Sequence, residues 1–193
     1  MLRRLYDWVV EQSAKPWATK AVAAIAFLES SIFPIPPDVM LVPMCLAKPQ
    51  RAFYYAGICT VASVLGGLVG YAIGSLLYDT LGEFLIRLYG YGDKMEAFRA
   101  AYAQWGAWII LIKGATPIPY KLVTIASGFA GYNIVWFTVL SVITRGVRFF
   151  LLAGLLYFWG EPAREFIEKR LGLVLLVSVV VLVGGFYLST KIF

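Results

Sequence analysis

The stretch Glu29-Ser-Ser-Ile-Phe-Pro-Ile-Pro-Pro-Asp38 places two carboxylates and three prolines inside an otherwise apolar part of the chain. A related stretch, Lys113-Gly-Ala-Thr-Pro-Ile-Pro-Tyr-Lys121, carries lysines on either side of its prolines. Proline ends a helix because it lacks a backbone N–H and its ring collides with the preceding turn. Two interrupted apolar segments, one acidic and one basic, are the pattern of an inverted repeat in a membrane transporter.

We predict that these stretches are the tips of two re-entrant hairpins. A full membrane crossing needs about 20 apolar residues, and each arm beside a tip is long enough to reach only about half way. Non-helical backbone at that depth is tolerated only where it is buried in protein or lines a wet cavity. The predicted tip residues are Pro34, Pro36, Pro37, Pro117 and Pro119.

The composition places this chain in the membrane. Its 193 residues are 61% hydrophobic and 15% charged, and they include no histidine. A soluble domain has about 45–50% apolar and about 25% charged residues. No basic run with interleaved aromatics points to nucleic acid, and no catalytic motif points to an enzyme. Cys45 and Cys59 lie in apolar surroundings, so we expect neither a disulfide nor a metal site.

The predicted fold is an all-α integral membrane protein with two opposed re-entrant helical hairpins, about three full transmembrane helices and amphipathic interfacial helices. The whole chain, 1–193, forms a single membrane domain. Its predicted segments are an interfacial helix at 1–16, hairpin 1 at 17–47, a transmembrane helix at 51–78, an interfacial segment at 79–104, hairpin 2 at 105–131, and transmembrane helices at 132–159 and 171–190. The distribution of lysine and arginine predicts a cytoplasmic N-terminus.

Gly66, Gly70 and Gly74 follow one another at four-residue spacing in the segment 51–78. Such a stripe lets another helix approach the backbone closely. Packing within the chain is the favoured interpretation, and a homo-oligomer contact is the alternative.

Six ionisable residues lie in segments that should be surrounded by hydrocarbon. Each unpaired charge at a helix centre costs about 2.5–3.5 kcal/mol on insertion scales, so we expect the six to share a polar cavity and largely to pair. Four positive minus two negative charges leave +2, which suits an anion such as a phosphate or pyrophosphate headgroup. These residues are Glu29, Asp38, Lys113, Lys121, Arg145 and Arg148.

The basic residues are predicted to bind the substrate. Arg145 and Arg148 are three residues apart and therefore share a helix face, and arginine binds phosphate oxygens bidentately. Alternatively, the two arginines are static counter-ions of the carboxylates. Lys113 and Lys121 are predicted to bind the same anion, although Lys113 could instead reach an interface.

The carboxylates are predicted to balance charge or to carry protons. Glu29 is followed by Ser30 and Ser31, whose hydroxyls can solvate it, and it could exchange a proton or simply neutralise Arg145. Asp38 also fits an ordinary helix start after Pro37.

Four segments of the chain resemble the DedA family, also called VTT-domain or SNARE-associated Golgi proteins, and most of all its bacterial YqaA-like branch. The resembling segments are FLESSIFPIPPDVML (27–41), GGLVGYAIG (66–74), KGATPIPYKLVTIASGFAG (113–131) and SVITRGVRFF (141–150). The resemblance implies opposed re-entrant hairpins and movement of lipids between leaflets, with undecaprenyl phosphate or a phospholipid as substrate. It also implies a location in the bacterial inner membrane.

The family's functional residues are a glutamate and an aspartate in the first hairpin and two basic residues around a proline in the second. Glu29 and Asp38 match the first pair, and Lys113 and Lys121 lie in the region of the second. This chain departs from the usual R-x-x-P-x-x-R arrangement, because lysines stand four residues before and four after Pro117.

The sequence therefore predicts a flippase or scramblase for an anionic phospho-lipid headgroup, with membrane lipids as partners and no cofactor beyond proton or sodium coupling. One alternative is a proton- or sodium-coupled transporter of a small anionic solute. A second alternative is a non-transporting membrane scaffold whose ion pairs only hold the hairpins together.

Overall fold

The computed structural model of the chain describes residues 15, 17–31, 36–82, 84, 86, 88, 90, 92–115 and 120–169. All but one residue of the predicted interfacial helix 1–16 lie outside the described residues, and so does the whole predicted span 171–190. Of the predicted hairpin tips, Pro36 and Pro37 are described, whereas Pro34, Pro117 and Pro119 are not.

The described residues form helices and their connections, without a β-strand. The prediction of an all-α fold is thus confirmed for this part of the chain. The helices are α1 (Trp17–Ser31), α2 (Asp38–Ala47), α3 (Ala52–Leu77), α4 (Gly92–Ala115), α5 (Tyr120–Phe129) and α6 (Ile134–Lys169). A 3₁₀ turn, Pro49–Arg51, leads into α3, and a π turn, Tyr78–Gly82, follows it.

Among the described residues, two helical stretches are long and apolar enough to cross a membrane. Pro49–Thr80 has 32 residues and Ile134–Gly160 has 27, and they coincide with the predicted spans 51–78 and 132–159. On α6, large apolar side chains such as Val135, Val139 and Val142 are exposed at helical spacing, while Phe137 is buried. An apolar outer face along a helix of this length is typical of contact with lipid.

Two helix boundaries differ from those that the sequence predicts. The predicted division between segments 79–104 and 105–131 falls inside α4, which runs without a break from Gly92 to Ala115 because no proline interrupts it. In α6 the backbone leaves the helical region at Trp159 (φ −120°, ψ 24°). Pro162 follows, and its ring collides with the carbonyl of Phe158 in an ideal helix.

The glycine stripe of α3 contacts two other helices of the same chain. A Cβ on Gly66 would overlap the backbone carbonyl of Phe27 in α1, and a Cβ on Gly74 would overlap that of Ile125 in α5. Gly70 lies between them, where a Cβ would meet both Thr124 and the carbonyl of Ser30. The stripe therefore serves packing within the chain, and α1 and α5 are both held against α3.

The buried apolar side chains form two clusters, one on each side of a polar layer. The first joins α1, α2 and α3 to the second half of the α6 span, including Phe149 and Ala153. The second joins α4 and α5 to the first half of that span, including Phe137 and Leu140. Arg145 is on α6 between the residues of the two clusters, so its charge lies in the layer that separates them.

Candidate functional site

Glu29 and Arg145 form what we call the inner ion pair. Glu29 is near the end of α1 and Arg145 is in the middle of α6, and Oε2 of Glu29 is 2.6 Å from Nη2 of Arg145. The exposed fraction of the side chain is 0% for Arg145 and 9% for Glu29. Charges so far from solvent are tolerated only when they are paired and hydrogen-bonded.

A ring of hydrogen bonds closes around the inner pair. Arg145 donates from Nε to Oγ of Ser63, at 2.7 Å, and Ser30 donates from Oγ to Oε2 of Glu29, at 3.1 Å. The hydroxyls of Ser30 and Ser63 are 2.6 Å apart. Either hydroxyl can be the donor between the two serines. The ring joins α1, α3 and α6.

The start of α5 also faces Glu29. The backbone N–H of Tyr120 donates to Oε1 of Glu29 at 3.4 Å, in the position where a helix N-terminus favours an anion. The guanidinium of Arg145 lies over the rings of Tyr120, at 5.0 Å, and Phe149, at 4.8 Å. The Tyr120 hydroxyl is 2.6 Å from Oγ of Ser141. The anion at this helix start is therefore a side chain of the protein itself.

Asp38 and Arg148 form the outer ion pair, which is far more accessible. Nη2 of Arg148 is 2.5 Å from Oδ2 of Asp38, and the exposed fractions of the side chains are 22% for Arg148 and 29% for Asp38. Asp38 is the first residue of α2, and the residue before it, Pro37, provides no side-chain cap. Asp38 thus reaches across to α6 in addition to occupying a helix start.

Each ion pair contains one atom with unused hydrogen-bonding capacity. Within the described residues, Nη1 of Arg145 and Oδ1 of Asp38 are buried and have no hydrogen-bond partner. A buried polar atom left in this way costs about 1–3 kcal/mol. Since Arg145 and Arg148 are three residues apart at about 1.5 Å rise per residue, the two pairs are about one helical turn from each other.

The structure brings four of the six predicted charged residues into direct contact and positions the other two by their helices. Lys121 is half-buried in the first turn of α5, directly after Tyr120. Lys113 is in the last turn of α4, and its side chain lies outside the description. Arg145 is enclosed and engaged with Glu29, so in this arrangement a ligand can approach Arg148 but not Arg145.

Sequence reasoning identified the charges but missed part of their support. Ser30 solvates Glu29 as expected, whereas Ser31 donates to the carbonyls of Phe27 and Leu28 in its own helix. Ser63 was not predicted to take part, because a hydroxyl in an apolar helix can equally donate to a carbonyl of its own helix.

The described residues do not form a group of side chains suited to a metal ion. Among the residues that the structure describes, no group of three or more histidine, cysteine, aspartate or glutamate side chains could hold a metal ion. Cys45 and Cys59 are buried and free.

Two bacterial proteins are similar to this chain over nearly its whole length. An uncharacterized protein of Haemophilus influenzae is 33% identical over 184 residues, which cover 95% of each chain. An uncharacterized protein of Histophilus somni is 33% identical over 181 residues, which cover 92% of this chain and 94% of its own. No protein-family model matches the chain, and no solved structure matches it.

Proposed function

This chain belongs to the same family as the Haemophilus influenzae and Histophilus somni proteins, and we propose that it is a lipid transporter of the bacterial inner membrane. Its substrate is an anionic phospho-lipid, whose headgroup crosses between leaflets by way of the charged layer. Undecaprenyl phosphate and the phosphatidyl lipids are the substrate classes that the resemblance to DedA proteins favours.

The observation that carries this proposal is the setting of the outer pair. Arg148 is flanked on α6 by Val147 and Leu151, which are 53% and 69% exposed, and Asp38 is followed by Val39, which is 64% exposed. A charged pair rimmed by exposed apolar side chains suits a ligand that has both a charge and hydrocarbon chains. A small hydrophilic solute would make no favourable contact with these apolar side chains.

The charges of the layer favour an anion. Glu29 with Arg145 and Asp38 with Arg148 each sum to zero. With Lys113 and Lys121, at the end of α4 and the start of α5, the formal charge of the six residues is four positive minus two negative, or +2. This formal sum supports an anionic substrate.

In the proposed cycle, phosphate oxygens replace the carboxylate of Asp38 on Arg148. Arginine accepts two such oxygens in parallel, which gives a stronger contact than a single carboxylate oxygen. The displaced Asp38 then takes up a proton or a sodium ion, which links transport to an ion gradient. The inner pair keeps α1 against α6 while α2 moves and opens the outer pair to the substrate.

The test is a leaflet-exchange assay in proteoliposomes with labelled phosphatidylglycerol and undecaprenyl phosphate, with and without a pH gradient. We expect Arg148→Gln to slow exchange at least about tenfold, because it removes one charge-assisted phosphate contact. Arg51→Gln is the matched control, since Arg51 is exposed in the turn before α3. Normal exchange in folded Arg148→Gln would refute the proposal.

A scaffold is the second candidate, and the closure of the inner pair favours it. An enclosed glutamate and arginine that bind each other can do no more than hold α1 against α6. The charge exchange Asp38→Arg with Arg148→Asp separates the two functions. A scaffold keeps its stability in this double variant and has no transport to lose, whereas a transporter loses exchange because the cation is moved to α2.

A further inference from the structure

A second candidate site is a cleft of about 540 Å³ between α4, the end of α5 and the start of α6. Its walls include Arg99, Tyr102, Ala103, Tyr132, Asn133 and Trp136. None of the residues of either ion pair lines it. The cleft is therefore separate from the charged layer, and the kind of ligand that it could bind is inferred from its own lining residues.

Arg99 gives the cleft a positive charge. Its guanidinium lies 4.0 Å above the centre of the Tyr78 ring, which fixes the planar group in place. Its Nε is buried and has no hydrogen-bond partner among the described residues. Among the described residues, no carboxylate lines the cleft to offset this charge.

The other described polar groups of the cleft carry no negative charge. Burial raises the pKa of Tyr102 to about 12, so its hydroxyl stays neutral, 2.7 Å from Oγ of Ser127. The side-chain carbonyl of Asn133 accepts hydrogen bonds from the N–H groups of Val135 and Trp136. Its remaining polar group is an NH₂ donor. Arginine and an amide donor together select an anion.

The position of the cleft indicates where that anion comes from. The membrane-crossing stretch Ile134–Gly160 begins directly after Asn133. Trp105 and Trp136, near this end of the helix, are exposed, as tryptophans at the level of lipid headgroups are. The remaining walls include apolar side chains, among them Ala107 and Leu140. Both a charged group and hydrocarbon can therefore contact the cleft.

We propose that this cleft binds the phosphate-bearing headgroup of an anionic membrane lipid, with Arg99 as the phosphate ligand. This site goes beyond the proposed transport function and does not depend on it, because binding at the cleft requires no movement between leaflets. The shared chemistry is a phosphate anion, whether it belongs to a lipid or is free in solution.

The test is a binding titration of the delipidated full chain in neutral detergent, with native mass spectrometry as the readout. The probes are dioctanoyl phosphatidylglycerol, dioctanoyl phosphatidylcholine and inorganic phosphate. We expect phosphatidylglycerol to bind most tightly, and Arg99→Gln to weaken it about tenfold because an arginine–phosphate contact is lost. Lys94→Gln, which removes the same charge from the same helix outside the cleft, should leave binding unchanged.

A second variant guards against misfolding of Arg99→Gln. Ala103→Leu adds bulk to an exposed wall position and keeps every charge, so it should also weaken phosphatidylglycerol binding. Equal binding by the wild type and both variants would overturn the proposal. Inorganic phosphate binding as tightly as phosphatidylglycerol would overturn the assignment to a lipid. Neither result bears on the transport assay, in which Arg148 is varied instead.

Discussion

The inner and outer ion pairs both join a carboxylate to an arginine of the same helix, and they differ in their surroundings. The distances between carboxylate oxygen and arginine nitrogen are 2.6 Å and 2.5 Å. The inner pair has two serines, a backbone N–H and two aromatic rings around it. The outer pair is partly exposed and is rimmed by apolar side chains. Because the inner pair is enclosed, we expect it to stabilise the fold. The outer pair is accessible, and we expect it to be able to exchange partners.

The largest difference is expected when one arginine of each pair is removed. Arg145→Leu leaves Glu29 enclosed without a cation, which should lower the free energy of unfolding by about 3–5 kcal/mol. Arg148→Leu leaves Asp38 partly exposed, and the loss should be about 1 kcal/mol or less. The measurement is unfolding in mixed micelles by titration with sodium dodecyl sulfate.

A double variant checks the reason for that difference. Glu29→Met combined with Arg145→Leu removes both charges and should recover most of the stability lost by Arg145→Leu alone. Equal losses for the two single arginine variants would show that the two pairs do not differ as enclosure predicts.

A smaller effect is expected when the packing behind the inner pair is disturbed. Gly66→Ala places a methyl group against the carbonyl of Phe27, two residues before Glu29, and should cost about 1–3 kcal/mol by overpacking. Gly57→Ala is the matched control on the same helix, because a Cβ there meets nothing within 4 Å. It should be neutral or stabilising by up to about 1 kcal/mol.

The same denaturant titration measures both glycine variants. The lipid-exchange assay adds a second readout, because Gly66→Ala moves α1 and the inner pair but not the outer one. A Gly66→Ala protein as stable as Gly57→Ala would mean that α1 does not need its close approach to α3.

The smallest expected effect is the response to salt. Screening shortens from about 10 Å at 0.1 M to about 3 Å at 1 M salt and acts mainly on accessible charges. A double-mutant cycle with Asp38→Asn and Arg148→Gln should therefore give a coupling energy that falls by a few tenths of a kcal/mol as salt is raised. The corresponding cycle with Glu29→Gln and Arg145→Gln should not change, and a fall of the same size there would contradict its enclosure.

The sequence predicted that the charges would largely pair, and it offered Arg145 as one possible partner of Glu29 without fixing the choice. Six charges in apolar segments have to share a polar region and largely pair, whatever the details of the fold. Arg145 and Arg148 share a helix face, so spacing does not choose which of them meets Glu29. That choice depends on how α1 and α2 pack against α3 and α6, which is decided by contacts between distant parts of the chain.

The support of the inner pair was harder to predict, because hydroxyl side chains in helices have a local alternative. Thr60 and Ser31 both donate to carbonyls of their own helices, and nothing in the sequence distinguishes them from Ser63, which faces Arg145. The continuity of α4 was missed for a different reason. A change from polar to apolar composition near residue 104 resembles a segment boundary, although only a helix breaker would impose one.

Gly70 has a mechanical consequence for the whole bundle. A Cβ there would meet both the carbonyl of Ser30 in α1 and Thr124 in α5, and the Thr124 hydroxyl donates to that same carbonyl at 3.1 Å. Helices α1 and α5 are therefore both held at one point of α3. Separating them would break the close packing at Gly70 and the Thr124–Ser30 hydrogen bond together. Opening the outer pair while the inner one stays closed therefore calls for movement of α2 or of the Arg148 side chain, with α1 and α5 held in place.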